Sequence, residues 1–218
     1  MGLDMYLNRF QRYKGATASD IVNIESYCDW LADKETKSKF SLKEWCGISE
    51  RDLPSKDVVS HYSKLYNAKP LNEYGFKRIC EEVCYWRKAN QIHKWFVDHC
   101  QDGEDDCRYH SEVTEWQLQE LIDTCQDVIL RSRLVHGKVK NGTRYADGAW
   151  LDITEDGLVI EDPQYAMEHL PRDSGFFFGS ESYDERYIAE LKRTVDILQT
   201  VLDTTNFETQ MLYYVSSW

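Results

Sequence analysis

Leu3, Met5 and Leu7 alternate with Gly2, Asp4 and Tyr6, and this period of two predicts a half-buried strand at the start of the chain. Behind Ser19 the period changes. Ile21, Ile24, Cys28 and Leu31 recur at helical spacing in DIVNIESYCDWLADK, which predicts a first helix capped by Ser19. Residues 36–72 hold short apolar pairs, Pro54, Pro70 and mixed charge, the pattern of one or two short helices on loops. Over Tyr74 to Tyr85 two periods compete: Phe76, Ile79, Val83 and Trp86 fit a helix, while Ile79, Val83 and Tyr85 fit one face of a strand. The reading adopted is a strand over Lys77 to Val83 that turns into an amphipathic helix spanning Tyr85 to Cys100.

Further along, Thr114 and Gln117 stand at capping-box spacing ahead of LQELIDTCQDVILRS, which predicts a helix from Glu115 to Arg131. His136 to Asp162, rich in Gly, Asp and short β-branched pairs, reads as a surface hairpin or extended insertion in a single domain over 1–218. Asp162-Pro163 opens a short helix ending near Leu170. SGFFFGS, Ser174 to Ser180, is a loop, and Ser182 to Glu185 forms a second capping box before a helix built on Ile188, Leu191, Val195, Leu198 and Leu202. The closing MLYYVSSW reads as a strand. Pairing of the two terminal strands at the centre of a small antiparallel sheet, with several amphipathic helices packed on one face, defines an α+β fold class.

Composition narrows the class of function more than the fold. With 42% hydrophobic and 29% charged residues and only 4 prolines, the chain is expected to fold throughout. The net charge of −12 is unevenly spread: residues 1–100 carry 16 Lys/Arg against 14 Asp/Glu, and the remainder 10 against 24. An acidic second half disfavours nucleic acid and anionic membranes as partners, because neutralising phosphates needs a positive surface. Seven cysteines, an odd number, and no signal-peptide pattern point to free thiols in a reducing cytoplasm. No apolar run approaches the roughly 20 residues that cross a bilayer. Tyr6 stands where a myristoylation signal wants Ser or Thr.

The segment YWRKANQIHKWFVDHC carries more ligand-capable side chains than any other. At 100° per residue, Tyr85, Ala89, Ile92, Phe96 and Cys100 share one arc, the face to be buried. Trp86, Asn90, His93 and Val97 line one border, with Arg87 and Lys94 on a polar stripe beyond it; Lys88, Trp95 and His99 lie on the other. As a pocket wall, Arg87 and Lys94 would hold phosphate or carboxylate oxygens, Trp86 would stack a ring, and Asn90 and His93 would read polar edges. The competing reading makes Trp86 and His93 border packing residues and leaves the two cations solvated. SGFFFGS adds Ser180 and Tyr183 to the candidate ligand-binding set, because glycines beside apolar rings permit close approach and a following helix start offers N–H groups to an anion. A buried aromatic plug is the plain alternative there, and Tyr213, Tyr214, Ser217 and Trp218 either line the same site or close the core.

Other chemistry is weaker. His99, Cys100, Cys107 and His110 could ligate zinc, but their spacing matches no common finger and adjacent helical residues diverge, so no metal and no cofactor are expected. Cys80 and Cys84 read as small apolar filler. There is no Gly-rich phosphate loop, nucleophile elbow or HExxH, and the acidic pairs sit in apparent loops, which leans against an enzyme without deciding it.

Taken together, MGLDMYL, YWRKANQIHKWFV with the following acidic loop, LP-SGFFFGS-YDE and the closing YY-SSW resemble an uncharacterised family of bacteriophage and prophage proteins. The resemblance spans nearly the whole length and brings no established chemistry. It implies a phage accessory protein in the host bacterial cytoplasm. Three readings follow: binding of a small anionic, nucleotide-like molecule between the Tyr85 to Cys100 helix and SGFFFGS, sequestering a host defence signal; an acidic protein-binding inhibitor of a host factor; or a small enzyme acting on nucleotides. The expected partners are accordingly a small anionic ligand, a host protein, or a second copy in a homo-oligomer.

Overall fold

The computed structural model describes residues 2–72, 77–107, 111–146, 148–175 and 177–218. The start of the chain forms β1 (Asp4–Gln11), and its alternation sends Leu3, Met5 and Leu7 into one core. Fifteen residues of helix follow as α1 (Ala18–Ala32), then the short α2 (Lys34–Lys39) and α3 (Leu42–Cys46), a single 3-10 turn at Glu50–Asp52, and α4 (Lys56–Ala68). The cap of α1 is Thr17 rather than Ser19, because Thr17 and Asp20 close a reciprocal capping box two residues earlier.

The largest departure from the expected pattern lies between residues 77 and 100. The strand β2 is Glu81–Arg87, four residues later than expected at either end, and the helix α5 is only Asn90–Cys100. Tyr85, Trp86 and Arg87 are therefore strand residues, and Tyr85 to Cys100 is not one helix. Pairing with β1, Met5 opposite Trp86 and Leu7 opposite Cys84, overrides the helical reading of the aromatic positions. Lys88 then takes a left-handed conformation, φ 58°, and its N–H donates to the Leu3 carbonyl at 2.8 Å, which ends the strand.

Beyond α5 come β3 (Ser111–Val113) and α6 (Glu115–Arg131), the latter with the expected Thr114–Gln117 box. A long hairpin of β4 (Leu134–Ala146) and β5 (Ala149–Ile160) forms a separate two-stranded sheet. Next are α7 (Gln164–His169) and α8 (Glu185–Thr204), the latter capped by Asp184 rather than by Ser182: the Asp184 carboxylate accepts from the Arg186 and Tyr187 amides. The chain closes in β6 (Gln210–Ser217).

The main sheet is antiparallel with order β2-β1-β6-β3, so the two terminal strands occupy its centre and the fold is α+β. Helices cover both faces, not one. Leu3, Met5, Leu7, Leu212 and Tyr214 meet Phe96 of α5, Leu118 of α6 and Leu191 of α8 on one side. On the other, Phe10, Met211 and Tyr213 meet Ile21 and Ile24 of α1 and Val58 and Tyr62 of α4. Both faces of β6 are apolar, MLYYV, because both are covered.

Trp86 is fully buried in the first core, stacked obliquely on Phe96, with its Nε1–H donating to Thr194 Oγ1 at 3.0 Å. Trp86→Ala is expected to lower the unfolding free energy by about 3–5 kcal/mol in urea denaturation, whereas Arg87→Ala on the exposed face of the same strand should change it by less than about 0.5 kcal/mol.

Candidate functional site

The residues picked out from the sequence do not converge on one open pocket. Trp86 is core, and Arg87 stands exposed on β2 at 4.0 Å from Asp4 Oδ1. Lys94 pairs along its own helix with Asp98 at 3.0 Å. Asn90 and His93 are completely buried. The His93 Nδ1 lies 2.7 Å from Tyr214 Oη, and its Nε2 lies 3.2 Å from Asp105 Oδ2 without hydrogen-bond alignment, while Phe178 packs edge-on against the ring.

Asn90, Ser180 and Tyr183 do come together, but as a staple. The Asn90 amide donates to the carbonyls of Phe178 (3.1 Å) and Ser180 (3.0 Å). Arg172, which the sequence reading passed over, joins them: its guanidinium donates to Asn90 Oδ1, Gln91 Oε1 and the Ser182 carbonyl, and its backbone N–H donates to Tyr183 Oη. Burial pushes the Arg172 pKa below its ordinary value. The space expected to hold a ligand between α5 and SGFFFGS is thus filled by protein. Gly179 serves the same packing: at φ +96° a Cβ there would stand 2.9 Å from Lys88 Cβ, so the close approach is by the chain itself. Phe176, like His110 of the four zinc candidates, lies outside the described residues; among those described, no group of His, Cys, Asp and Glu is arranged to hold a metal.

An open cleft lies on the opposite side of the sheet. Its volume is about 640 Å³, and Asn8, Glu25, Arg78, Cys80, Glu82 and Tyr213 are among its walls. A bulge builds it. The register of β1 on β2 shifts between Leu7 and Asn8, so that Leu7 faces Cys84 but Asn8 faces Glu82, with Val83 as the extra residue. Cys84 and Trp86 consequently point into the first core, while Glu82 shares the Asn8 face. Cys80 and Cys84, read alike from the sequence, end up in different places: Cys84 as core filler and Cys80 in the cleft.

Glu25 is the least expected member. It lies on the buried side of α1 with a side chain 5% exposed. Its Oε1 accepts from the Ile79 amide, and its Oε2 lies 3.6 Å from Arg78 Nη1. Burial raises the Glu25 pKa, opposed by the Ile79 amide and the Arg78 charge. Next to it, the Tyr213 hydroxyl donates to Cys80 Sγ at 3.2 Å, and Cys80 Sγ lies 3.9 Å from Glu25 Oε1. Burial and the neighbouring carboxylate push the Cys80 thiol up to about 11, so it is protonated near neutral pH and is a poor nucleophile. Asn8 is only 9% exposed, and its side-chain amide forms no hydrogen bond among the described residues. Its polar atoms open onto the cleft, where water or a bound molecule can supply the partner.

Asn8, Arg78 and Glu82 were not singled out from the sequence. Glu25 had a readable signal: four residues after Ile21 and three before Cys28, it is a charge on the apolar stripe of α1. All seven cysteines are free thiols, and no helix among the described residues is long and apolar enough to cross a membrane. Comparison of the chain with protein-family models, with curated proteins and with solved structures finds no match.

Two outcomes test this geometry. Because the folded protein holds the Glu25 proton more tightly than the unfolded chain does, this contribution to stability is full below the unfolded pKa of about 4.5 and is lost as pH rises through the folded value. Urea midpoints across pH 4–8 should therefore fall more steeply with rising pH in the wild type than in Glu25→Gln; parallel curves would contradict the burial. Asn90→Ala, which unfastens the loop, should cost about 1–3 kcal/mol of stability.

Proposed function

We propose that this protein binds a small, nucleotide-like molecule in the cleft over the α1 face of the sheet. The observation that carries this reading is a 640 Å³ cleft that brings the Asn8 amide, which makes no hydrogen bond to the described residues, together with a buried carboxylate and an arginine. The volume falls within the roughly 300–1,000 Å³ of small-molecule sites. An asparagine amide offers a donor and an acceptor side by side, the complement of a heterocycle edge such as that of adenine. Arg78, with its side chain 57% exposed, supplies a planar fork for a phosphate or carboxylate at the mouth, and Glu25 and Glu82 accept N–H donors. The Cys80 thiol, pushed up to about 11 by burial and by the Glu25 carboxylate, supplies no thiolate near neutral pH, which favours binding over turnover. A role in holding a host signal out of circulation would rest on the resemblance of several segments to phage proteins.

The ligand class expected from the sequence is kept, and its place moves from α5 to the other face of the sheet. A thermal-shift and calorimetry screen of nucleotides and cyclic nucleotides should find a binder. Arg78→Ala and Asn8→Ala should each weaken it by about tenfold or more, and Arg87→Ala should leave it unchanged. The bound molecule should be recovered intact after denaturation. A screen with no hit, or a hit sensitive to Arg87 but not to Arg78, defeats the proposal; recovery of a converted product defeats its noncatalytic part.

A further inference from the structure

The β4–β5 hairpin leaves the body of the protein. Its base is anchored: Val139 is buried, Arg186 of α8 holds Glu155 at 3.2 Å, and Val159 bridges to Asp184. Beyond Val139 the ribbon runs seven more residues to Ala146, about 24 Å at ~3.4 Å per residue. At its end Tyr145 and Trp150 are cross-strand partners, packed edge to face at 5.4 Å, and they remain 63% and 71% exposed. Leu151 and Ile153, on the opposite face, are exposed as well. A ribbon with one solvated face would alternate apolar with polar; this one is apolar on both faces at its tip. Isolated two-stranded hairpins are marginal in water, so such a tip is built to be enclosed.

The same chain carries an apolar surface of complementary chemistry. Between α6 and α8 runs an apolar groove of 290 Å³, lined by Ile129, Leu130 and Val195, with Leu130 83% exposed. Its rim charges, Lys192 and Asp196, have no ion-pair partner among the described residues. On the arm, Arg144 likewise has none, and it lies on the face of Leu151. The unpaired Arg144 suits the unpaired Asp196.

We infer that the arm docks on a second copy of this chain, its aromatic tip entering the partner's α6–α8 groove while the partner's arm enters its own. Reciprocal exchange closes with two-fold symmetry, so no filament forms. It also doubles a contact that would be small alone, toward the roughly 1,200–2,000 Å² that specific interfaces bury. The inference is independent of the cleft, which lies on other elements.

Sedimentation equilibrium of the full chain tests it. The wild type should be a dimer, and Trp150→Ala and Leu130→Glu should each raise the dissociation constant at least about tenfold, with unchanged circular dichroism since both residues are exposed. An equimolar mixture of the two variants should associate more strongly than either alone, because one intact tip meets one intact groove. Arg144→Asp should weaken the dimer, and adding Asp196→Arg should restore it. A monomer at all concentrations overturns the inference. So does a dimer indifferent to Leu130→Glu, which would place arm against arm, or a dimer indifferent to Trp150→Ala.

Discussion

The antiparallel ladder between β1 and β6 is the contact on which the rest of the molecule depends. Eight residue pairs, from Asp4 with Ser217 to Gln11 with Gln210, join the chain's two extremes in mid-sheet. Each strand then offers both of its faces to a different set of helices. Leu7 and Tyr214 serve one core, and Phe10 and Tyr213 the other. A slip of one residue in this register would exchange the two cores wholesale, so the register is held by apolar patterning on both sides at once.

Against that ladder, the bulge in β2 does the work of differentiation. Without the extra residue at Val83, Glu82 would turn toward the first core along with Cys84 and Trp86, a charge among tightly packed apolar side chains. With it, one strand supplies a tryptophan to the first core and a polar wall to the cleft. The staple at Asn90 and Arg172 is a different solution to a similar problem: an irregular stretch of chain has its carbonyls satisfied by side chains because no strand or helix is there to satisfy them.

Much of the fold was legible from periodicity. The α6 boundaries, the hairpin and the central pairing of the terminal strands follow from the Thr114–Gln117 box, the Gly-rich stretch, the alternation at Leu3 to Leu7 and the apolar run Met211 to Val215. Tyr85 to Arg87 were misassigned because alternating and helical spacing coincide over so short a run, and only the partner strand decides between them. The site was largely illegible for a related reason. Asn8 and Glu82 become neighbours through a register shift, and a register is a property of two strands rather than of one. Within α5 the dense polar residues were real, but Asn90 and His93 hydrogen-bond inward, and nothing in a single helix says whether an amide will meet a ligand or a carbonyl of its own chain. Glu25, a carboxylate on the apolar stripe of α1, carried a signal in the pattern but was passed over, while Cys80, Tyr213 and Ser217 were named without their place in the cleft.

The central position of the terminal strands also sets the order of events in folding. Asp4 finds its partner only at Ser217, so β1 waits for β6, the last strand of its sheet in chain order. Local pieces such as α6, or the β4–β5 hairpin, close over short loops, but neither core can be sealed until β6 arrives, since Leu212 and Tyr213 floor the two of them. Such non-local pairing makes for slow folding. Until then Leu3, Met5 and Leu7 present an apolar strand edge without cover, and it is in this interval, rather than in the finished molecule, that the chain is most exposed to aggregation.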